Sequence, residues 1–204
     1  MIRGGDEITL DVTATAGGKV YDKTVNHGFI IKGDNPDRTA VKQLLTVEEQ
    51  VIAYMESRFR QFWSDKSFPI FGAPHGYGLM QLDPPDNNEE VWDWKANAKE
   101  GQSRFAKKES LATKYPSKVR KKSGAYRYAT NFTRQEFLTD AFQLYNGYHY
   151  WIWVPADPNR GGGSWQKDPN LGKPKAKGGY GRDYGGPAII IYIEVMSHHP
   201  PSDW

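Results

Sequence analysis

The segment AYMESRFRQFW (53–63) constrains the chain most, because it puts a carboxylate where an amphipathic helix needs an apolar side chain. At 100° per residue from Ile52, the side chains of Ile52, Phe59 and Trp63 fall in one narrow stripe, and Glu56 falls beside them at about 40°. A charge on that side needs a buried partner or a cleft, whereas ordinary solvated charges point outward. Burial against aromatic rings raises a carboxyl pKa, and a Glu so placed keeps its proton near neutrality and can serve as a general acid. The other arrangement open to the same residue is a position at the stripe's edge with its head in water.

About twenty residues later comes HGYGLMQLD (75–83). Three glycines between Gly72 and Gly78 relax the backbone, and one amide, Gln81, sits among Leu79, Met80 and Leu82. An amide in apolar company has a specific hydrogen-bonding task. Two more signatures follow: Asn97 with Gly101 four residues on, and Ala141 followed by Tyr145, Asn146 and Gly147. In this order, Glu56-Ser57-x-Phe59, Gly78-Leu79-Met80-Gln81, Asn97 with Gly101, and the Ala141–Gly147 segment resemble the lysozyme-like superfamily. The nearest types are the SLT-type lytic transglycosylases and goose-type lysozymes. The resemblance covers residues 56–147 and leaves the flanking segments unexplained.

That resemblance implies a peptidoglycan glycan strand as substrate, cut at the β-1,4 bond between N-acetylmuramic acid and N-acetylglucosamine. Glu56 would be the general acid, protonating the leaving oxygen as the sugar becomes oxocarbenium-like. By the same resemblance Ser57 would steady Glu56 or an N-acetyl group. Met80, Gln81 and Asn97 would line the cleft, and Tyr145 and Asn146 would stand near the acid. Two outcomes stay open after protonation. A lysozyme hydrolyses, and an inverting one needs a second carboxylate roughly 6.5–9.5 Å away; Asp83, directly after GLMQL, and Asp65, in the preceding loop, are the candidates. A lytic transglycosylase reuses one Glu as base and releases a 1,6-anhydro end. A non-catalytic glycan-binding module is the reading from another class.

Composition narrows the field. There is no cysteine, hence no disulfide framework, thiol nucleophile or thiolate metal site. His75 and His149 stand apart from any His or acidic pair at ligand spacing, so neither a metal nor a cofactor is expected. The net charge of +3 says little, but from Arg104 to Lys122 eight Lys or Arg face a single acid, Glu109. This basic stretch suits an anionic wall polymer. No base-reading motif accompanies it, and nucleic acid is not an expected partner. Aromatics make up 14% of the chain, with seven Trp and twelve Tyr, a composition compatible with sugar stacking or with core packing. No apolar run reaches the roughly 20 residues that span a bilayer, and no signal pattern opens the sequence. The expected destination is therefore the bacterial cell wall or periplasm, reached by secretion or delivery without a signal peptide in this chain. The opening MIRGGDE reads as a start made within a longer chain.

Along the chain, alternation from Ile8 to Ala16, a Gly17-Gly18 turn and a return from Val20 to Val25 predict a β-hairpin. Asn35-Pro36 predicts a helix start with Asn35 as its cap, and Thr46 with Glu49 a capping box for the helix carrying Glu56. Residues 65–76 read as an irregular loop, GLMQL as a buried turn, and Glu89–Phe105 as helical. The basic stretch from Ala106 to Arg127 has no clear period and reads as an insertion or arm. Thr133 with Glu136 opens another helix, Tyr148–Val154 reads as buried, 157–186 as loop, and Ala188–Met196 as a strand. The fold class expected is α+β: a mainly helical lysozyme-like domain with a small added β-sheet made by the N-terminal hairpin and the C-terminal strand. It would be one catalytic domain over 1–204, with a hairpin (1–35), a helical core (36–155) and a loop-rich tail (156–204).

Overall fold

The structure, a computed structural model, describes residues 7–30, 33–64, 68–157 and 161–171. It is α+β, with five α-helices and three two-stranded antiparallel sheets among the described residues. These residues divide between two compact units, one drawn from Met1–Thr46 and Glu56–Gly101, the other from Val47–Met55 and Gln102–Trp204.

The first unit opens with β1 (Glu7–Ala16) and β2 (Lys19–Ile30), paired from Glu7↔Ile30 to Ala16↔Lys19. Gly17 and Gly18 both take positive φ (57° and 74°), the two-residue turn that matches strand twist. Every described side chain from Asp11 to Thr24 is exposed. The expected partner for this sheet, the strand at 188–196, lies outside the described residues.

Helix α1 (Arg38–Leu44) starts two residues later than the sequence suggests. Its cap is Asp37, whose carboxylate accepts from the Thr39 and Ala40 amides at 2.8 and 3.3 Å and is held below the ordinary Asp range by those bonds. Asn35 is instead a clamp on residues 61 and 62: its Oδ1 accepts from both backbone amides (2.8 and 2.7 Å), and its Nδ2 donates to the Phe62 carbonyl.

Helix α2 (Val47–Ser57) also departs from expectation, because it stops at Ser57 and does not run on to Trp63. Arg58 and Phe59 both adopt left-handed φ (58° and 61°), which ends the helix although neither is glycine. The extended stripe therefore breaks: Phe59 is buried and Trp63 is 45% exposed. After this turn Phe62 bridges to Pro69, and a short hairpin forms from β3 (Phe71–Gly72) and β4 (Gly76–Tyr77), more order than the predicted loop. Helix α3 (Asn88–Trp92) is capped by Asn87, whose side chain accepts from the Glu90 amide.

Helix α4 (Trp94–Arg120) overturns the reading of 106–127 as an arm: the basic stretch continues the helix to Arg120. Pro116 lies inside it and removes one intrahelical donor. At 100° per residue Arg104, Lys107, Lys108, Lys114 and Lys118 fall within an arc of about 120°, a basic face that sequence periodicity did not reveal because apolar residues interrupt it. Burial and the Arg104 guanidinium hold the Lys108 ammonium below its ordinary value. A 3₁₀ turn (Gly124–Tyr128) leads to α5 (Arg134–Tyr145), which has the expected capping box of Thr133 and Glu136.

Among the described residues the last element of the second unit is a hairpin that the sequence did not suggest: β5 (Trp151–Pro155) against β6 (Gly163–Lys167), with Trp153 opposite Trp165. Those two indoles meet edge to face at 5.3 Å and pack with Val119, Ala129, Tyr115 and Phe132. Part of the expected tail is thus core. Removing the α5 cap tests the local account: Thr133→Ala should lower stability by about 1 kcal/mol in urea denaturation.

Candidate active site around the 78–81 turn

In the first unit three of the four sequence signatures converge on one tight turn. Gly78 takes φ 76°, and a Cβ there would lie 2.6 Å from the Asn97 Nδ2, so no larger residue fits. Leu79 and Met80 are fully buried, and their backbone polar groups are met by side chains from far along the chain. The Leu79 amide donates to the Gln61 Oε1 (2.8 Å), and its carbonyl accepts from the Ser57 hydroxyl (2.8 Å). The Met80 amide donates to the Asn97 Oδ1 (2.8 Å). Asn97 is 0% exposed and its Nδ2 donates to the Tyr77 and Glu90 carbonyls (2.9 and 2.8 Å), while the Gln61 Nε2 donates to the Val91 carbonyl (2.7 Å). Gly101 lets α4 pass over Met80, whose Cβ would be 2.7 Å from an added methyl.

This arrangement gives Ser57, Met80 and Asn97 a different place from the substrate-contacting one expected. All three are buried, and the polar atoms of Ser57 and Asn97 are bonded to backbone, so they act by fixing the turn. Gln81 is the least buried of the expected cleft residues, but its side chain too is bonded to backbone. It is half-buried with φ 47°, and its Nε2 donates to the Gly78 and Ile70 carbonyls (2.9 and 3.3 Å). Glu56 occupies the last turn of α2, half-buried, next in sequence to the serine that grips Leu79.

Asp83 is exposed, with its Oδ1 3.8 Å from the Nδ1 of a still more exposed His75. Asp65 lies outside the described residues. Tyr145 and Asn146 belong to the second unit: the Tyr145 ring is edge-on to Phe105 at 6.3 Å, and Asn146 is the C-cap of α5. The Asn146 Nδ2 and both amide atoms of the fully buried Gln143 find no hydrogen-bond partner among the described residues.

Sequence reasoning missed Gln61, although the argument applied to Gln81, an amide set among apolar neighbours, fits FRQFW equally well. It also left His149 unpaired. In the second unit the His149 Nδ1 is 2.7 Å from an oxygen of Asp140, which is wholly buried and whose other oxygen accepts from the Tyr150 amide at 2.7 Å. The Tyr115 ring stacks on the imidazole at 3.6 Å, and burial, then the Asp140 and Asp168 carboxylates, push its hydroxyl pKa up. Asp86, Glu90 and Glu100 bring carboxylate oxygens within 4.8 Å of one another; the Glu90 oxygens accept from the Asp86 amide and the Asn87 side chain, the geometry of a helix cap.

No family model, characterised protein or solved structure matches the chain.

If Asn97 holds the turn, Asn97→Ala takes the partner from the buried Met80 amide and from the Glu90 carbonyl, while the Tyr77 carbonyl keeps the Leu82 amide, and should cost roughly 2 kcal/mol or more in urea unfolding. Asn97→Asp, which keeps only the acceptor for Met80, should fall between; unchanged stability in both would refute the role.

Proposed function

We propose that the chain cleaves the glycan strands of peptidoglycan as a lysozyme, cutting the MurNAc–GlcNAc β-1,4 bond with Glu56 as general acid in a lysozyme-like helical core. The observation that carries this reading is the convergence of Ser57, Gly78–Gln81, Asn97 and Gly101 on one turn. These residues, 22 positions apart between Ser57 and Leu79 and 17 between Met80 and Asn97, are the ones that carry the family resemblance. Their hydrogen bonds tie the end of the helix bearing Glu56 to the turn bearing Gln81. In this reading Glu56 protonates the leaving oxygen and Gln81 orients the sugar. The basic face of α4 takes anionic wall polymers, and the site of action is the bacterial wall.

Inverting hydrolysis requires a second carboxylate, and Asp83, two residues beyond Gln81 and open to solvent, has the access to water that a general base needs. In the alternative, a lytic transglycosylase, Asp83 is dispensable and the product ends in 1,6-anhydroMurNAc.

Glu56→Gln should slow clearing of purified cell walls by about 10²- to 10⁴-fold with the fold intact. Full clearing would sink the enzyme, and wall sedimentation without cleavage by the unaltered chain would indicate a binding module. Asp83→Asn separates the two chemistries: a lysozyme loses activity on a similar scale and its native products carry reducing ends, whereas a transglycosylase is indifferent and its products weigh one water less.

A further inference from the structure

The first unit carries a groove of about 730 Å³ that none of the sequence signatures enters. Its walls include Trp63, Phe68, Phe71, Tyr77 and Trp92, with Asn88 at the polar edge. Three of these rings are strongly exposed: Phe68 at 58%, Trp63 and Phe71 each at 45%. Large aromatics left half in water around one depression mark a binding surface.

The lining also specifies its ligand. None of the nine lining residues is charged, in a chain where a quarter of all residues are, so the complementary ligand is neutral where it touches. Seven of the nine are aromatic or proline rings and one, Val91, is an open aliphatic, which gives flat, stiff walls suited to a rigid ring and unsuited to a flexible acyl chain. Indole N–H, phenol O–H and carboxamide groups supply hydrogen bonds around those faces. A neutral molecule with apolar C–H faces and polar groups at its rim is a pyranose.

The rings are held in place before any ligand arrives. Phe71 and Tyr77 are opposite partners in the β3–β4 pair with centroids 5.1 Å apart, and buried Phe62 backs Trp92 at 6.1 Å. The Trp63 amide donates to the Phe68 carbonyl at 3.0 Å. The hairpin that lines the groove also packs against the 78–81 turn: a Cβ on Gly76 would be 2.9 Å from the Gln81 Oε1, and the Tyr77 amide and carbonyl pair with Leu82 at 3.1 Å.

We infer that this aromatic groove is a glycan-binding site that holds neutral N-acetylated sugars of the strand beside the cleavage turn. The inference rests on the glycan-cleaving reading for its choice of sugar, and the groove itself stands on the lining.

The test uses the full chain carrying Glu56→Gln, with N-acetylchitohexaose as a soluble neutral probe and calorimetry as the readout. Saturable binding is expected, weakened at least about tenfold by Trp63→Ala and by Phe68→Ala. Trp63→Tyr, which keeps a ring and a donor, should recover most of it. Both positions are exposed, and unchanged circular dichroism separates lost binding from lost folding. Binding indifferent to Trp63 and Phe68, or tighter binding of a proline-rich peptide than of the sugar, overturns the groove even if Glu56→Gln abolishes wall clearing. Ring-dependent sugar binding alongside a Glu56→Gln variant that still clears walls keeps the groove and removes the catalytic reading.

Discussion

The first unit depends on buried side-chain amides bonding to backbone. Leu79 and Met80 are enclosed in a turn that has no strand or helix to satisfy their polar groups, and an unpaired buried amide costs about 1–3 kcal/mol. Gln61 and Asn97 meet that requirement, and each also donates to carbonyls of neighbouring segments. Because one planar amide bonds two or three separate strands of chain at once, α3, α4, the β3–β4 hairpin and the end of α2 take their positions from the same few hydrogen bonds. Packing then follows: Gly78 and Gly101 are glycines because the side chains of Asn97 and Met80 leave no room for a methyl.

The second unit solves a similar problem with a charge. Asp140 has no exposure, and its oxygens are taken by the His149 ring and the Tyr150 amide, so the carboxylate joins α5 to the start of the aromatic hairpin. The Trp151 indole, donating to the Glu136 carbonyl at 2.9 Å, repeats the link one turn earlier. Removing the imidazole would leave one oxygen of a fully buried carboxyl group without its hydrogen-bond partner.

Much of this was legible in residue order where the signal is local. The β1–β2 hairpin follows from alternation and a double glycine, and the α5 cap from Thr133 and Glu136 three apart. What failed was non-local. Asn35 looks like a helix cap because Asn-Pro favours one, yet its partners are residues 61 and 62. The basic run showed no period because apolar residues such as Leu111 and Tyr115 interrupt the helix face it occupies. Gln81 and Asn97 were legible as members of a pattern, but their tasks were not, since a buried amide and a ligand-facing amide look alike in sequence. The strand at Gly163–Lys167 hides in a glycine-rich segment whose one strong cue is Trp165.

The two left-handed residues after Ser57 bear on how the chain folds. Arg58, Phe59, Arg60 and Gln61 have no intrinsic reason to leave a helix, and holding two L-residues in that region costs on the order of 1–2 kcal/mol each. The stop is imposed by Leu79, 22 residues away from Ser57, and by Asn35, 26 and 27 residues before its amide partners. Local sequence does not fix that stop, so the terminus of α2 becomes defined only after two long loops have closed and met their entropy. The geometry beside Glu56 is in that sense a product of the whole first unit's topology.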